Sequence, residues 1–84
     1  MKRELFTSRI RLRHIHCFVA ISQERNLGKA ADKLRLTQPA VSKTLSELEG
    51  IVGARLFERG RHGARLTRDG ETFLTHAVPV GGGA

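Results

Sequence analysis

Residues 26–53 read NLGKAADKLRLTQPAVSKTLSELEGIVG, a pattern typical of two helices joined by a tight turn. In the first helix the apolar residues recur at i, i+3, i+4 and i+7, so they share one face, and Asn26 is placed to cap it. That face consists of Leu27, Ala30, Ala31 and Leu34. Lys29, Asp32 and Lys33 point away from it. The two small alanines allow a second helix to cross closely.

The second helix has a start signal and an end signal. Thr37 can cap its free N–H groups, Pro39 fits the first turn because its missing N–H costs nothing there, and Gly53 is placed to end it. The apolar residues repeat at spacings of four, three and four. They predict a buried stripe of Val41, Leu45, Leu48 and Val52.

The opposite side of the second helix is polar and predicts a surface that contacts nucleic acid. It carries Gln38, Ser42, Lys43 and Ser46. Glutamine and lysine near a helix N-terminus can hydrogen-bond base edges and phosphates, and the hydroxyls of Thr37 and Ser42 can donate to phosphate oxygens. The alternative is an ordinary helical hairpin with a solvated polar face.

Composition favours a nucleic-acid partner as well. The 84 residues carry a formal net charge of +7 and are 39% hydrophobic without Trp or Tyr, which suits one small helical domain with a polyanionic partner. A membrane surface is the weaker candidate, because no apolar run approaches the ~20 residues of a span. The N-terminus lacks the apolar segment of a signal peptide, and the single cysteine fits a reducing cytoplasm.

A basic arm and a first helix precede the helix pair. Residues 1–10 show no period and are expected to form the arm. A helix is predicted from Leu12 to Ser22, and its apolar face would consist of Leu12, Ile15, Phe18, Val19, Ile21 and Ser22. Arg9, Arg11 and Arg13 lie at or before its N-terminus, where cations oppose the helix dipole unless a phosphate is near. For Arg9 and Arg11, a solvated, frayed leader is the other interpretation.

His14, His16 and Cys17 do not predict a metal site. Residues two apart on a helix point about 200° away from each other, so the two histidines cannot share an ion, and His14 with Cys17 supplies only two ligands. These side chains are expected to be partly buried or at the surface. Ser42 has no histidine near it in sequence, so no catalytic residue is assigned and an enzyme is the least favoured class.

A β-ribbon is predicted after the helix pair. Leu56-Phe57 and Ala64 to Leu66 flank a basic segment with glycines, and Arg55 to Arg68 contains five arginines and one acidic residue. So short a hairpin must lean on the helices, and Leu56 and Leu66 are the predicted anchors. Residues 55–66 are therefore the predicted wing of a winged helix-turn-helix, whose arginines can follow the DNA backbone or enter the minor groove.

The chain from about Leu12 to about Ala77 resembles the N-terminal DNA-binding domain of LysR-type transcriptional regulators. The resemblance is carried by the order and spacing of Ala30-Ala31 with Leu34, the run TQPAVSK from Thr37 to Lys43, Leu48-Glu49, Gly53, the run LFER from Leu56 to Arg59, and Leu66-Thr67 followed by Gly70. It implies a mainly α, winged helix-turn-helix fold over residues 11–66, with a three-helix core, a two-stranded β wing and the start of a linker helix. Within the family, the sequence is similar to regulators of aromatic-acid catabolism, such as those of the protocatechuate pathway.

Thr67 is placed to cap a further helix, with Asp69 and Glu71 in its first turn as the helix dipole favours. In the family this is the linker helix that pairs with its mate in a dimer, and the corresponding face here consists of Phe73, Leu74 and Ala77. Residues 67–84 are expected to be a truncated linker helix and a flexible tail. The larger effector domain that follows in the family, and that senses a small-molecule inducer, is missing, so the chain is expected to be an excised domain.

Chemistry and resemblance together assign the DNA contacts. Gln38 would hydrogen-bond adenine or guanine edges, Pro39 would contact a thymine methyl, and Lys43 would reach a guanine or a phosphate. Contacts to the backbone or minor groove are assigned to Arg13, Asn26, Lys29, Thr37, Ser42, Ser46, Arg55, Arg59, Arg61 and His62. Arg13 is included because its counterpart in the family stands at the start of this helix. Arg61 and His62 are alternatives for the arginine that the family often has near the wing tip.

The sequence therefore predicts the targeting module of a bacterial, cytoplasmic, nucleoid-associated transcription factor. It would bind an inverted-repeat operator in double-stranded DNA as a homodimer, with a higher oligomer in the full-length protein. No cofactor is expected in this domain, and no membrane partner. Two alternatives remain, a non-specific basic DNA-binding or architectural protein and a protein-interaction module with an acidic partner, and the turn-helix surface disfavours both.

Overall fold

The computed structural model describes residues 9–61 and 63–77, without the side chains of His76 and Ala77, and these residues form four helices and one two-stranded antiparallel sheet. The helices are α1, Leu12–Glu24; α2, Leu27–Leu34; α3, Gln38–Val52; and α4, Arg68–Ala77. The strands are β1, Phe57–Gly60, and β2, Gly63–Leu66. This is the predicted architecture of a three-helix core, a β wing and a fourth helix. The predictions for residues 1–8, for His62 and for residues 78–84 lie outside the described residues.

The α2–α3 pair begins and ends at the residues that the sequence indicates. Asn26 Oδ1 accepts a hydrogen bond from the backbone N–H of Lys29 at 2.8 Å, and Thr37 Oγ1 accepts one from Ala40 at 3.2 Å. These bonds satisfy N–H groups that the first turn of each helix leaves free. α3 ends at Gly53, whose φ of +82° is left-handed. The predicted boundaries of the helix pair are confirmed.

The inward face of α1 differs from the prediction. Leu12 was assigned to the core, but it is 68% exposed, while Ile10 and His14 are buried. The predicted face was rotated: the buried side of the helix includes His14, Cys17, Phe18 and Ile21. Leu12, two residues before His14, points about 200° away from it. The basic arm therefore ends before Ile10, which packs with the core. The helix also continues past Ser22 to Glu24.

Three aromatic rings form the centre of the core. Phe18 of α1 lies 5.2 Å from Phe57 of β1 and 4.9 Å from Phe73 of α4, measured between ring centroids. All three side chains are buried within the one chain. The assignment of Phe73 to a dimer interface is therefore wrong, because a ring held in the core cannot also cover a second copy. The domain boundary predicted after Leu66 does not separate two hydrophobic cores, since α4 contributes to the same core as the preceding elements.

The wing is anchored at its base by α3. The carboxylate of Glu49 accepts hydrogen bonds through Oε2 from the backbone N–H groups of Leu56, at 2.7 Å, and Phe57, at 3.3 Å. Leu56 is fully buried, as predicted for an anchor. On the second strand, however, Ala64 is buried and Leu66 is only half-buried. The anchor prediction is thus right for Leu56 and incomplete for β2.

The far end of the wing is seated on the end of α1. The backbone N–H of Ala64 donates to the carbonyl oxygen of Arg25 at 2.9 Å. The neighbouring Gly63 has a φ of +100°, and a β-carbon at this position would overlap the same carbonyl oxygen. Only glycine both adopts this positive φ readily and lacks the β-carbon that would clash with Arg25. Gly63 therefore lets the hairpin turn while its tip packs against the helix core.

The start of α4 is fixed to the wing. Thr67 Oγ1 accepts a hydrogen bond from Gly70 N at 2.9 Å, which is the predicted cap, and donates one to the carbonyl oxygen of Arg55 at 2.6 Å. A β-carbon on Gly70 would overlap the carbonyl oxygen of Leu56. Helix and strand backbones are thus in direct contact here, and any side chain at position 70 would separate them.

We expect Gly70→Ala to destabilise the fold by about 1–3 kcal/mol, as overpacking against backbone does. Gly50→Ala is the matched control, because Gly50 is exposed in the interior of α3 and a β-carbon there meets nothing within 4 Å. This control should gain about 0.5–1 kcal/mol from helix propensity. Urea unfolding of both variants measures the two changes, and a Gly70→Ala protein as stable as the parent would contradict the close packing of α4 on the wing.

Candidate nucleic-acid interface

The exposed face of α3 carries most of the residues that the sequence assigns to DNA. Gln38, Pro39, Lys43 and Ser46 are exposed and Ser42 is half-buried. Positions 38, 42 and 46 form one row along the helix, which spans about 12 Å at ~1.5 Å per residue. The major groove of B-DNA is about 12 Å wide, so this row matches the groove in size.

A cleft of about 250 Å³ separates this helix from the wing. It is lined by Asn26 and Gly28 at the start of α2, by Gln38 at the start of α3, and by Arg59 and Gly60 of β1. Two helix N-termini meet there, and each presents partial positive charge from free backbone N–H groups. The structure therefore brings Asn26, Gln38 and Arg59 together, as their shared assignment to DNA requires.

Arg59 and Ser42 contact each other. Arg59 Nη1 donates a hydrogen bond to Ser42 Oγ at 3.2 Å, which connects the wing to α3. The sequence assigned both residues to the DNA backbone but contained no signal for the pairing, because they are 17 residues apart on different elements. The pair is exposed, and it leaves the other N–H groups of the guanidinium available to a phosphate.

The remaining wing and α2 assignments are also at the surface. Lys29, Arg55 and Arg61 are exposed, and Arg61 lies at the wing tip. His62, the alternative for the tip position, lies outside the described residues. For the predicted dimer face, Leu74 is half-buried and packs against the core, and the side chain of Ala77 is not among those described.

Arg13 lies apart from the cleft. Its Nη2 is 3.5 Å from Glu47 Oε1 on α3. Glu47 is nine residues after Gln38, about 13 Å further along the helix axis. Together with Arg9 and Arg11, Arg13 lines a second, open cleft of about 510 Å³ beside the later turns of α3.

His14 makes two hydrogen bonds, one at the start of its own helix α1 and one to α3. Nδ1 accepts from the backbone N–H of Arg11 at 2.8 Å, and Nε2 lies 3.2 Å from Glu47 Oε1. Because Nδ1 accepts, the ring proton of neutral His14 is on Nε2 and is donated to the carboxylate. The sequence predicts a partly buried or surface histidine, whereas His14 is 2% exposed and both of its ring nitrogens have hydrogen-bond partners. The available signal was the spacing of three, four and seven residues from His14 to Cys17, Phe18 and Ile21, which places it on their face of the helix.

The environment of Glu47 changes its titration. The hydrogen bond from His14 lowers the pKa of Glu47 below its usual value, and Arg13 lowers it further, while loss of solvent at the carboxylate partly opposes both effects. This cluster connects the first helix to α3 on the side away from the wing.

Cys17 is a buried thiol in the contact between α1 and α3. Its Sγ donates to the carbonyl oxygen of Val41 at 3.5 Å, and burial raises the pKa of the thiol to about 11. A protonated thiol is a poor metal ligand and a poor nucleophile.

Within residues 9–61 and 63–77, no three His, Cys, Asp or Glu side chains are grouped to hold a metal ion, and no helix is long and apolar enough to cross a membrane.

Known proteins share this sequence pattern. A family model described as "Bacterial regulatory helix-turn-helix protein, lysR family" matches residues 12–71. The chain is similar to the uncharacterized HTH-type transcriptional regulator YdcI of Escherichia coli K12, with 66% identity over 79 residues that cover 94% of this chain and 26% of YdcI. PcaQ of Agrobacterium fabrum is 45% identical over 69 residues, covering 82% of this chain and 22% of PcaQ. The chain thus spans about a quarter of the length of these curated relatives.

Solved structures share the fold. The BenM DBD in complex with catB site 1 DNA superposes with a TM-score of 0.78 at 37% identity, covering 87% of this chain and 82% of that chain. BenM is a transcriptional regulator of Acinetobacter baylyi. The CbnR DBD in its DNA complex has a TM-score of 0.78 at 31% identity, covering 83% of this chain and 80% of that chain. These similarities confirm the predicted winged helix-turn-helix fold.

Glu47 should stabilise the fold in a pH-dependent way. A carboxylate with a lowered folded-state pKa contributes stability above its unfolded pKa, and that contribution is lost as pH falls through the folded pKa. We expect the parent to be more stable than Glu47→Gln at about pH 7 and the difference to shrink towards about pH 3. Thermal unfolding across this range measures it, with Glu58→Gln as a control for the loss of one exposed negative charge. A difference that is constant with pH would rule out the charged pairing.

Proposed function

The chain belongs to the LysR family of bacterial regulatory helix-turn-helix proteins, and we propose that it binds double-stranded DNA in a sequence-specific way. The observation that carries this proposal is the row of polar side chains along the DNA-facing side of α3. Thr37 caps this helix, and the basic wing lies beside the row. The DNA complexes of the BenM and CbnR domains, which share the fold, support it.

In the proposed complex, α3 enters the major groove with its N-terminal half. Gln38 offers both an amide N–H and a carbonyl oxygen to base edges, and Pro39 offers an apolar surface to a thymine methyl. Lys43 reaches a guanine or a phosphate. The Thr37 hydroxyl accepts the helix-capping bond and still has its proton to donate to a phosphate oxygen. Ser42 and Ser46 face the same backbone.

The wing is proposed to hold the DNA beside that groove. Arg59 lies on the cleft and Arg61 lies at the tip, so these two side chains reach the phosphate backbone or the minor groove. Asn26 and Lys29 at the start of α2 contribute a further phosphate contact, because the helix N-terminus and the lysine attract the same anion. Arg13 of α1 pairs with Glu47, about 13 Å from Gln38 along α3, so it would reach only backbone outside the central contact.

We further propose that two copies bind one inverted-repeat operator. The burial of Phe73 removes the largest apolar side chain from the proposed α4 pairing, so little apolar surface remains there and free copies should associate weakly. Adjacent half-sites would supply the effective concentration that the interface lacks.

The whole regulator is proposed to act at the nucleoid in the cytoplasm, with no enzymatic activity and with no cofactor in this domain. A small-molecule inducer would act on a part of the protein that this chain does not include. The relatives include HcaR, an Hca operon transcriptional activator, and BenM and PcaQ, which accords with the similarity to regulators of aromatic-acid catabolism.

A binding-site selection from random double-stranded DNA tests the function directly. We expect an enriched inverted repeat with half-sites one helical turn or a multiple of it apart. Equal affinity for selected and random DNA at matched salt would favour the non-specific architectural protein instead. An enriched single half-site would keep the sequence specificity but contradict the paired arrangement.

Base and phosphate contacts should respond differently to mutation. Lys43→Ala is expected to weaken binding to all sequences alike and to lower the slope of log affinity against log salt by about one unit, if Lys43 holds a phosphate. Gln38→Ala should relax the preference at one base-pair position and cost about 1–3 kcal/mol on the best site.

Lys33→Ala is the matched control, because Lys33 lies near Glu24 on α1 and borders a separate groove. Its salt slope should stay close to that of the parent. A sequence-dependent loss in Lys43→Ala would show that Lys43 reads a base, and a uniform loss in Gln38→Ala would refute the assignment of Gln38.

A further inference from the structure

Gly28 lies directly under the amide of Gln38. A β-carbon built on Gly28 would be 3.4 Å from Gln38 Oε1 and 3.2 Å from Asn26 Oδ1. Gln38, at the first position of α3, therefore directs its amide back over the start of α2 rather than straight outwards. The two residues face each other across the cleft in which Asn26 and Arg59 also lie.

The backbone does not explain why glycine stands at position 28. Gly28 is the second residue of helix α2, and it is not among the described residues with positive φ. A helical position of this kind accepts alanine and usually gains stability from it. The consequence of glycine here is the space above its α-carbon, because β-carbons on a helix tilt towards the helix N-terminus, where Asn26 and Gln38 lie.

The position of the Gln38 amide matters for recognition. A glutamine side chain has several rotatable bonds, and fixing it on a base edge costs conformational entropy. A side chain that is already supported in one orientation loses less on binding, and that orientation decides which groups reach the base. The residue beneath the amide therefore influences which base pair Gln38 prefers.

We propose that Gly28 is a specificity-determining residue that acts by setting the position of the Gln38 amide. Gly28 is a positioning residue, since a β-carbon there would meet the Gln38 amide and Gly28 is assigned no base of its own. This inference rests on the proposed function and deepens it, because it concerns which operator sequences the same surface selects.

The size of residue 28 can be varied in steps. Alanine adds only the β-carbon, which is in ordinary van der Waals contact with Gln38 Oε1 and requires Asn26 Oδ1 to move by a few tenths of an ångström. Valine adds two γ-methyl groups beyond the β-carbon, and we expect them to displace the Gln38 amide. Gly28→Ala is therefore the smallest step, Gly28→Val is the test, and the isosteric Gly28→Thr repeats the test with a side chain common near helix N-termini. Gly50→Ala is the control, because a β-carbon there meets nothing within 4 Å.

The binding experiment is a double-mutant cycle on DNA. The parent, Gly28→Val, Gln38→Ala and the double variant are titrated with the selected site and with its three single-base alternatives at the position that Gln38→Ala relaxes. Bidentate contacts discriminate by about 5- to 160-fold. We expect Gly28→Val and Gly28→Thr to lower the discrimination at that position to within about twofold of that of Gln38→Ala, Gly28→Ala to have a smaller effect, and Gly50→Ala to keep the parent discrimination within about twofold. In the Gln38→Ala background, Gly28→Val should have no further effect.

The outcomes separate this inference from the proposed function. A parent that selects no sequence refutes the function, whatever the variants do. A parent that selects an operator while Gly28→Val retains the full discrimination, or loses it equally with and without Gln38, refutes the role of Gly28. The salt slope should stay close to that of the parent in all Gly28 variants, because none of them changes a charged side chain.

A measurement without DNA keeps the test independent of operator choice. In ¹⁵N-labelled protein, the side-chain amide resonances of Gln38 should move in Gly28→Val and Gly28→Thr and stay near their parent positions in Gly28→Ala. Circular dichroism confirms that each variant is folded. Gln38 resonances that are indifferent to the size of residue 28 would show that the two side chains do not meet, and the proposal would then be wrong.

Discussion

The contact of Phe18 with Phe57 and Phe73 is the interaction on which the other parts depend. A two-stranded hairpin and a helix of ten residues are both marginal alone. Each supplies one ring to the cluster, and α1 supplies the third, so both are held against the helix core by the same contact. Aromatic pairs at these distances add about 0.5–1.5 kcal/mol beyond the burial of their area. The position of the wing relative to α3 follows from this packing.

The DNA-facing surface is consequently formed before any DNA arrives. Glu49 ties the base of the wing to α3, Arg59 bonds Ser42 further along, and the wing tip is seated on Arg25. The Glu49 and Arg25 contacts hold the two ends of the wing against the helices, and the cleft lies between the wing and the starts of α2 and α3. Association then orders fewer side chains and loops, which leaves more of the interaction energy for affinity. The Arg59 bond is exposed and modest, so the arginine can turn towards a phosphate at little cost.

The sequence predicted the helix boundaries and the wing, because these features depend on residues that are close together in the chain. Asn26, Thr37 and Gly53 bound their helices because caps act within one turn, and the wing followed from a change of period with glycines. The rotation of α1 was missed because an amphipathic pattern with a buried histidine does not show which edge of the apolar face points inward. Phe73 and the Ser42–Arg59 pair were missed because their partners are distant in sequence, and only packing brings them together.

The burial of Phe73 also affects how two paired α4 helices would position two copies of α3 on DNA. This helix is fixed to the core by Phe73 on its inner face and by the close approach of Gly70 to Leu56. Among the described side chains of α4, Glu71 and Thr75 are exposed on its outer side and accessible to a mate. Since α4 cannot rotate without breaking the aromatic cluster, the angle between two paired α4 helices would set the angle and distance between two copies of α3. Half-site spacing would then be determined by the packing of one phenylalanine, not by the length of a flexible connection.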